Sequence, residues 1–140
     1  MDAIQNVSDN ITTIVNQAAG SGFSGIVFII DGSGSVITTG EKGHISVPFD
    51  CELLAAELEA NASGSIVIDI WNDTIANFPP TDADSITASA PPTLSAAQSS
   101  FDGTLTGWSK SLSRFDILAF NVDSVATVQR VTLTLHVKKV

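Results

Sequence analysis

Residues 2–19 carry apolar side chains at spacings of three and four, which is the pattern of an amphipathic helix. The positions that line one seam, at heptad positions a and d, are Ile4, Val7, Ile11, Ile14 and Ala18. A helix of about two heptads is marginal alone in water, so this N-terminal seam needs a partner. Either the helix packs on its own domain, or several chains associate through it. β-branched residues at both a and d favour three or four chains over two, which predicts a trimeric stalk.

The hydrophobic period changes to two from residue 26 onward, which predicts β-strands. IVFII reads as a short buried strand that ends at the turn DGSGS. In GHISVPF, the inward positions are Ile45, Val47 and Phe49. In DILAFNVD, one face carries Leu118, Phe120 and Val122. The run TVQRVTLTLHVKKV alternates best, with Val131, Leu133, Leu135 and Val137 inward and Arg130, Thr132, Thr134, His136 and Lys138 outward.

The middle of the chain is harder to assign. CELLAAELEA has helical propensity, but it lies between two strand signals and no Ser, Thr or Asn caps it, so we interpret it as a strand. SIVIDIW follows as a strand signal, and FPP ends the pattern. Residues 79–107 are rich in Pro, Ser, Thr, Ala and Gly, which predicts long loops with one weak strand.

These elements predict an all-β protein. Roughly six to eight strands separated by turns, without alternating helices, are typical of an antiparallel β-sandwich. We favour a jelly roll over an immunoglobulin-like fold, because the Cys…Trp…Cys spacing of the latter is absent. The segment GSGFSG matches a dinucleotide-binding fingerprint, but it follows a helix and precedes a strand, so we interpret it as a hinge. The predicted organisation is an N-terminal helix or arm with its hinge over residues 1–25 and a sandwich over residues 26–140.

Composition narrows the functional classes. Of 140 residues, 44% are hydrophobic and 15% are charged, which suits one domain with a real core. The net charge is −9, and no basic residue lies between Lys42 and Lys110, so nucleic-acid binding is disfavoured. No apolar run approaches the roughly 20 residues of a membrane span, and the acidic start MDAIQNVSDN predicts no secretory signal. We therefore expect a soluble protein made in a reducing cytoplasm. Its single cysteine, Cys51, reads as a buried small residue.

The acidic stretch IVIDIWNDTIANFPPTDADSI is the main candidate for chemistry. Asp69 and Asp73 share a strand face with Trp71, whereas the isoleucines at 66, 68 and 70 take the other face. If the isoleucines face the core, both aspartates lie on the solvated side. Asp82 and Asp84 follow the prolines, where aspartates cap turns. The stretch has too few features of a calcium loop or of a glycosidase carboxylate pair, so we interpret its carboxylates as surface and turn residues.

The remaining polar residues suggest no catalytic or metal site. His44 opens one strand, His136 lies on the outward face of another, and their spacing does not predict convergence with an acid on a metal ion. No G-x-S-x-G nucleophile motif occurs. We therefore expect no catalytic residue, no cofactor and no metal.

Four blocks of the sequence together resemble a β-sandwich domain that recurs in structural proteins of tailed bacteriophages. The blocks, which lie within residues 26–140, are GSGSVITTGEKGHISVPFDC, GSIVIDIWNDTIANFPPTDADSI, PPTLSAAQ and DILAFNVDSVATVQRVTLTLHV. In that family the domain occurs at the ends of tail-fibre chains and as small virion proteins. The resemblance implies a non-enzymatic virion component, commonly trimeric, with no catalytic residues to transfer.

Two functions follow as hypotheses. The first is a homotrimeric capsid decoration, cement or head-fibre protein, assembled in the host cytoplasm and bound to the major capsid protein or another virion protein. The second is a tail-fibre or baseplate module that recognises a host glycan or protein through the loops at 72–106. Receptor sites use aromatic anchors, so Trp108 would be the exposed probe of such a module. A short chain before the sandwich favours the first hypothesis, and an enzyme such as a depolymerase is disfavoured.

Overall fold

The computed structural model describes residues 22–140, which form strands and two short 3₁₀ helices. The strands are β1 (Phe23–Asp31), β2 (Gly40–Ser46), β3 (Cys51–Asp73), β4 (Thr93–Asp102), β5 (Ser111–Leu112), β6 (Ile117–Ala126) and β7 (Arg130–Lys139). The 3₁₀ helices are Ile75–Asn77 and Asp82–Asp84. The predicted N-terminal helix, with the seam residues Ile4, Val7, Ile11 and Ile14, lies outside the described residues. Within the described range, no helix is long and apolar enough to cross a membrane.

The strands form one antiparallel sheet that curls on itself. Its order is β1-β7-β3-β6-β2, and β4 and β5 also pair with β3. The first part of β3, residues 51–60, pairs with β7, whereas residues 65–73 pair with β6. Because β3 changes partner along its length, it belongs to both layers of the fold. The all-β antiparallel prediction is confirmed and is consistent with a β-sandwich; the jelly-roll topology stays a prediction.

Strand β3 joins two segments that looked separate in the sequence. CELLAAELEA is a strand, as interpreted, but it continues through SIVIDIW as one element of 23 residues. Pairing with neighbours overrides the helical propensity of its first half, because strand preference depends mainly on context. The register shifts between Glu59 and Gly64, where the strand passes from one layer to the other. A Cβ at Gly64 would lie 2.6 Å from Thr127 Oγ1 and 2.7 Å from a Val128 methyl, so only glycine fits there without movement.

The core comes from alternate positions of the long strands. On β3 the isoleucines at 66, 68 and 70 are buried, which confirms that they face the core. The inward positions predicted for β6 and β7 are buried as well: Leu118, Phe120, Val122, Val131, Leu133, Leu135 and Val137. Cys51 is also fully buried, as expected for a small core residue.

Strand β1 departs from its prediction as a buried strand. Ile26 and Ile30 are buried, but Val27 is 50% exposed and Ile29 is 58% exposed. Phe28, between them, stacks on Phe120 with ring centroids 4.3 Å apart. β1 lies at one end of the strand order, and only one of its faces packs on the core. Because side chains alternate between the two faces of a strand, every second side chain of β1 points outward.

Candidate functional site

A cleft of about 660 Å³ lies over the outer face of β3 and β6, beneath the segment at residues 74–85. Strand pairing places Asp69 opposite Asn121 and Trp71 opposite Ala119, so both β3 side chains lie on the outer face. The lining residues are Asp69, Trp71, Pro80, Thr81, Asp82, Asn121 and Asp123. The acidic stretch singled out in the sequence therefore forms most of this cleft.

The segment at residues 74–85 folds back over β3 through a series of local hydrogen bonds. Asp73 Oδ1 accepts bonds from Thr74 N at 2.7 Å and from Asn77 Nδ2 at 3.2 Å, which starts the first 3₁₀ turn. The Phe78–Pro79 peptide is cis. At the second turn, Asp84 Oδ2 accepts a bond from Thr81 N at 2.8 Å, as in a capping box. The turn role predicted for Asp84 is confirmed.

Asp69 is the residue that holds this segment to the sheet. Its Oδ1 accepts bonds from Ser85 Oγ at 2.7 Å, from Thr87 Oγ1 at 2.6 Å and from the backbone N–H of Ile70 at 2.8 Å. Its Oδ2 accepts a bond from Trp71 Nε1 at 3.0 Å. Asp69 lies on the outer face of β3, as predicted, but it is partly buried and its carboxylate is bonded within the fold rather than free in solvent. Four donors occupy its oxygens, so its role is to anchor rather than to act as a free base.

The hydroxyl partners of Asp69 could not be read from its own strand, because Ser85 and Thr87 lie 16 and 18 residues further along the chain. Ile86 N donates to Ile70 O at 2.9 Å, and this bond lays residues 85–87 beside β3. Ile86 is buried on one side, while Ser85 and Thr87 point towards Asp69 on the other. The alternation in Ser-Ile-Thr was the available signal, since period two places both hydroxyls on one face.

The cleft suits a ligand that donates hydrogen bonds or carries positive charge. Three of its lining residues are aspartates and none is basic. Asn121 Nδ2 already donates to Asp123 Oδ1 at 2.7 Å, which orients that pair at the mouth. Trp71 adds an aromatic surface fixed by its bond to Asp69. This combination can hold a hydroxyl-rich or cationic group by acceptors and ring contact.

The two histidines lie at separate places, each with its own acidic neighbour. His44 Nε2 lies 3.3 Å from Glu41 Oε1. The His44 ring also packs edge-on against the Phe78 ring, with the two ring centroids 4.8 Å apart. His136 Nε2 lies 3.0 Å from Glu57 Oε1 on the outer face of the other layer. Among residues 22–140, no group of three or more His, Cys, Asp and Glu side chains could hold a metal ion.

Trp108 does not serve as the exposed probe proposed from the sequence. Only 7% of it is accessible, and its Nε1 donates to Ala90 O at 2.8 Å. It is buried because residues 105–109 form a turn against the core: Trp108 N bonds to Leu105 O, and Ser109 N bonds to Ile86 O. The prediction for Trp108 is wrong, and Trp71 is the tryptophan that reaches the cleft.

Comparison with known proteins gives no relative from which functional residues can be transferred to this chain. No protein-family model matches the chain, and no curated protein matches it significantly. The resemblance to bacteriophage structural domains therefore rests on its sequence blocks.

Proposed function

We propose that this protein is a non-enzymatic structural component of a tailed-bacteriophage virion, in the form of a homotrimeric capsid decoration, cement or head-fibre protein. The observation that carries the proposal is the surface of β1, where Val27 and Ile29 are at least half exposed and follow the predicted N-terminal segment, residues 1–25. Apolar side chains on two adjoining elements favour a protein that buries both by association. The sandwich is then the body of the assembly.

The resemblance supports the same function through the parts of the fold that it covers. The block GSIVIDIWNDTIANFPPTDADSI spans the second half of β3 and the segment that folds back over it. The block DILAFNVDSVATVQRVTLTLHV spans β6 and β7. These blocks include core strands and the anchor at Asp69, as expected when the shared feature is a scaffold.

The proposed partner is the major capsid protein or another virion protein, reached through residues 1–25 after assembly in the host cytoplasm. The test uses phage particles that lack the endogenous protein and are supplied with either the full chain or a chain without residues 1–22. We expect the full chain in purified particles, with trimeric density on the shell by electron microscopy. The truncated chain should fold, because the described strands carry their own core, but it should not be incorporated.

Two results would contradict the proposal. If the full chain never copurifies with particles at above-background amounts, it is not a virion component. If particles incorporate the truncated chain as well as the full chain, attachment lies on the sandwich rather than on residues 1–25. Density at the tail rather than the head would favour the second function.

The second candidate is a receptor-binding module of a tail fibre or baseplate, and the cleft at Trp71 favours it. In this function the cleft takes a hydroxyl-rich host glycan or a basic side chain of a host protein. The test is binding of labelled protein to host cells, with Trp71→Ala as the variant. Phe115→Ala is the matched control, because Phe115 is an exposed aromatic that does not line the cleft. Loss of binding only in Trp71→Ala supports this function, and equal binding by both variants excludes the cleft.

A further inference from the structure

The cleft over β3 and β6 has a wall formed by Trp71, which is partly buried, and Pro80, which is buried. Trp71 Nε1 donates to Asp69 Oδ2 at 3.0 Å, and Asp69 is itself bonded to Ser85 and Thr87, so the orientation of the indole ring is fixed. A ring that is already held in place loses little side-chain entropy when a ligand packs on it. Trp71 therefore provides a preformed flat surface in the cleft.

The side-chain donors that line the cleft are already used within the fold. Besides the indole N–H, Thr81 Oγ1 donates to Asp84 Oδ2 at 3.4 Å, and Asn121 Nδ2 donates to Asp123 Oδ1 at 2.7 Å. An amide nitrogen carries two N–H donors. Among the lining residues, all of which the structure describes, the second N–H of Asn121 is thus the spare side-chain donor.

The acceptors of the cleft, in contrast, are open. Within residues 22–140, no hydrogen bond or ion pair ends at the Asp82 carboxylate, and none ends at Asp123 Oδ2. Both side chains belong to exposed residues at the edge of the cleft. Ionised carboxylates only accept hydrogen bonds. A ligand that fits the cleft must therefore supply donors, and a positive charge on it is favoured.

These properties fit a guanidinium group better than a sugar or a metal ion. Each sugar hydroxyl accepts as well as donates, and the cleft has little to donate in return. A guanidinium has five N–H donors and no acceptor, and its flat shape stacks on aromatic rings and matches carboxylates. A metal ion would lack ligands, since residues 22–140 contain no group of three or more His, Cys, Asp and Glu side chains that could hold one.

Charge and size favour the same ligand. The chain carries 15 acidic and 6 basic residues, and none of the residues that line the cleft is basic, so the surrounding field attracts cations. The cleft volume of about 660 Å³ is larger than one guanidinium requires, which leaves room for the aliphatic part of an arginine side chain.

We propose that the cleft binds an arginine side chain of a partner protein, with the guanidinium stacked on Trp71 and bonded to the carboxylates of Asp82 and Asp123. This inference rests on the second candidate function, because it takes the cleft as a binding site. It goes further by choosing a basic protein side chain over a glycan as the ligand.

The first test is a titration of the ¹⁵N-labelled full chain with N-acetyl-L-arginine amide, followed by NMR. The two indole N–H signals report on different places: Trp71 lines the cleft, whereas Trp108 is 7% accessible and donates to Ala90 O, so it serves as an internal reference. We expect a saturable shift of the Trp71 signal and none of the Trp108 signal. N-acetyl-L-citrulline amide has the same length but no positive charge, and it should bind about tenfold more weakly or less.

The second test repeats the titration with Asp82→Asn, which removes one open carboxylate and keeps the size of the side chain. Glu52→Gln is the matched control, because Glu52 is an exposed acidic residue on β3 that does not line the cleft. We expect Asp82→Asn to weaken binding of the arginine amide about fivefold, as for the loss of an exposed ion pair. The control should bind as the original chain does. Methyl glucoside and methyl galactoside are titrated in parallel as sugar probes.

The outcomes separate this inference from the second candidate function. Equal binding of the arginine and citrulline amides, or equal weakening by Asp82→Asn and Glu52→Gln, would overturn the inference. If a methyl glycoside shifts the Trp71 signal and the arginine amide does not, the inference is overturned while the glycan form of the second function stands.

Two further combinations are also decisive. If no probe shifts the Trp71 signal, the inference is overturned, and binding of the Trp71→Ala variant to host cells decides the second function separately. If the arginine amide binds as expected but binding to host cells does not depend on Trp71, the inference stands and the second candidate function fails.

Discussion

Asp69→Ala is the substitution that tests the account of the cleft most directly. The change removes the acceptor of Ser85 Oγ, Thr87 Oγ1 and the Trp71 indole N–H. It does not change the buried isoleucines on the opposite face of β3. The effect should therefore fall on the attachment of residues 74–87 to the sheet rather than on the core.

The expected cost follows from how well water can replace each lost bond. Thr87 is fully buried, so its hydroxyl loses its carboxylate acceptor with no water to replace it, at about 1–3 kcal/mol. Ser85 and Trp71 are partly exposed, and water recovers part of their bonds, which leaves about 0.5–1 kcal/mol each. We expect a loss of about 2–5 kcal/mol in the free energy of unfolding. For a domain of this size that corresponds to a fall of roughly 10 °C in Tm.

Urea and thermal denaturation measure this loss, with Asp82→Ala as the matched control. Asp82 lines the same cleft but is exposed, so its removal should cost about 0.5 kcal/mol or less. The double variant Asp69→Ala/Thr87→Val should cost less than the sum of the single changes, because the buried donor is removed together with its acceptor. A cost for Asp69→Ala no larger than that of the control, or strict additivity with Thr87→Val, would refute the anchor.

Three further outcomes follow from burial and charge. Ile68→Ala should lower the free energy of unfolding by about 2–5 kcal/mol in urea denaturation, because it leaves a cavity at a fully buried position; a loss under 1 kcal/mol would contradict the core assignment. Partial burial and repulsion by Glu57 raise the pKa of Glu59 above its ordinary value of 4.5, against a lowering effect of His136. The folded state therefore disfavours the charged carboxylate of Glu59, so Glu59→Gln should raise Tm at pH 7. At about pH 3 the carboxyl is protonated in both the folded and the unfolded state, so the substitution should not raise Tm there. An equal gain in Tm at both pH values would contradict this. Burial raises the pKa of the Cys51 thiol above its ordinary 9.0, so iodoacetamide should alkylate the folded protein far more slowly than the urea-unfolded protein, as followed by mass spectrometry.

The alternation of apolar and polar residues in the sequence predicted the buried side chains well where a strand has one face on the core. On β7 each inward position named from the sequence is buried, because period two determines the face of every side chain. The pattern failed for β1, since an apolar run cannot distinguish a buried strand from an edge strand. It also divided β3 into two elements, because the continuity of that strand depends on partners far away in the sequence.

The candidate site was predicted only in its local parts. The turn at Thr81–Asp84 follows from neighbouring residues, so the sequence was sufficient. The anchor at Asp69 needs Ser85 and Thr87, which reach it only when the chain folds back over β3. The exposure of Trp108 was misjudged for the same reason, because a distant carbonyl at Ala90 accepts its N–H.

The long strand β3 has a consequence for how the chain folds during synthesis. It pairs with β4, β5, β6 and β7, all of which follow it in the sequence, and the earlier strands β1 and β2 pair only with β7 and β6. Among residues 22–140, β4 with β3 is therefore the one case in which a strand pairs with the strand that immediately precedes it. Closing such long loops is slow, and apart from the pairs of β3 with β4 and β5, the sheet cannot form until β6 and β7 have left the ribosome. Until then β1 has no strand partner among residues 22–140, and β3 lacks its partners β6 and β7, so production of soluble protein should depend on the late strands more than on the early ones.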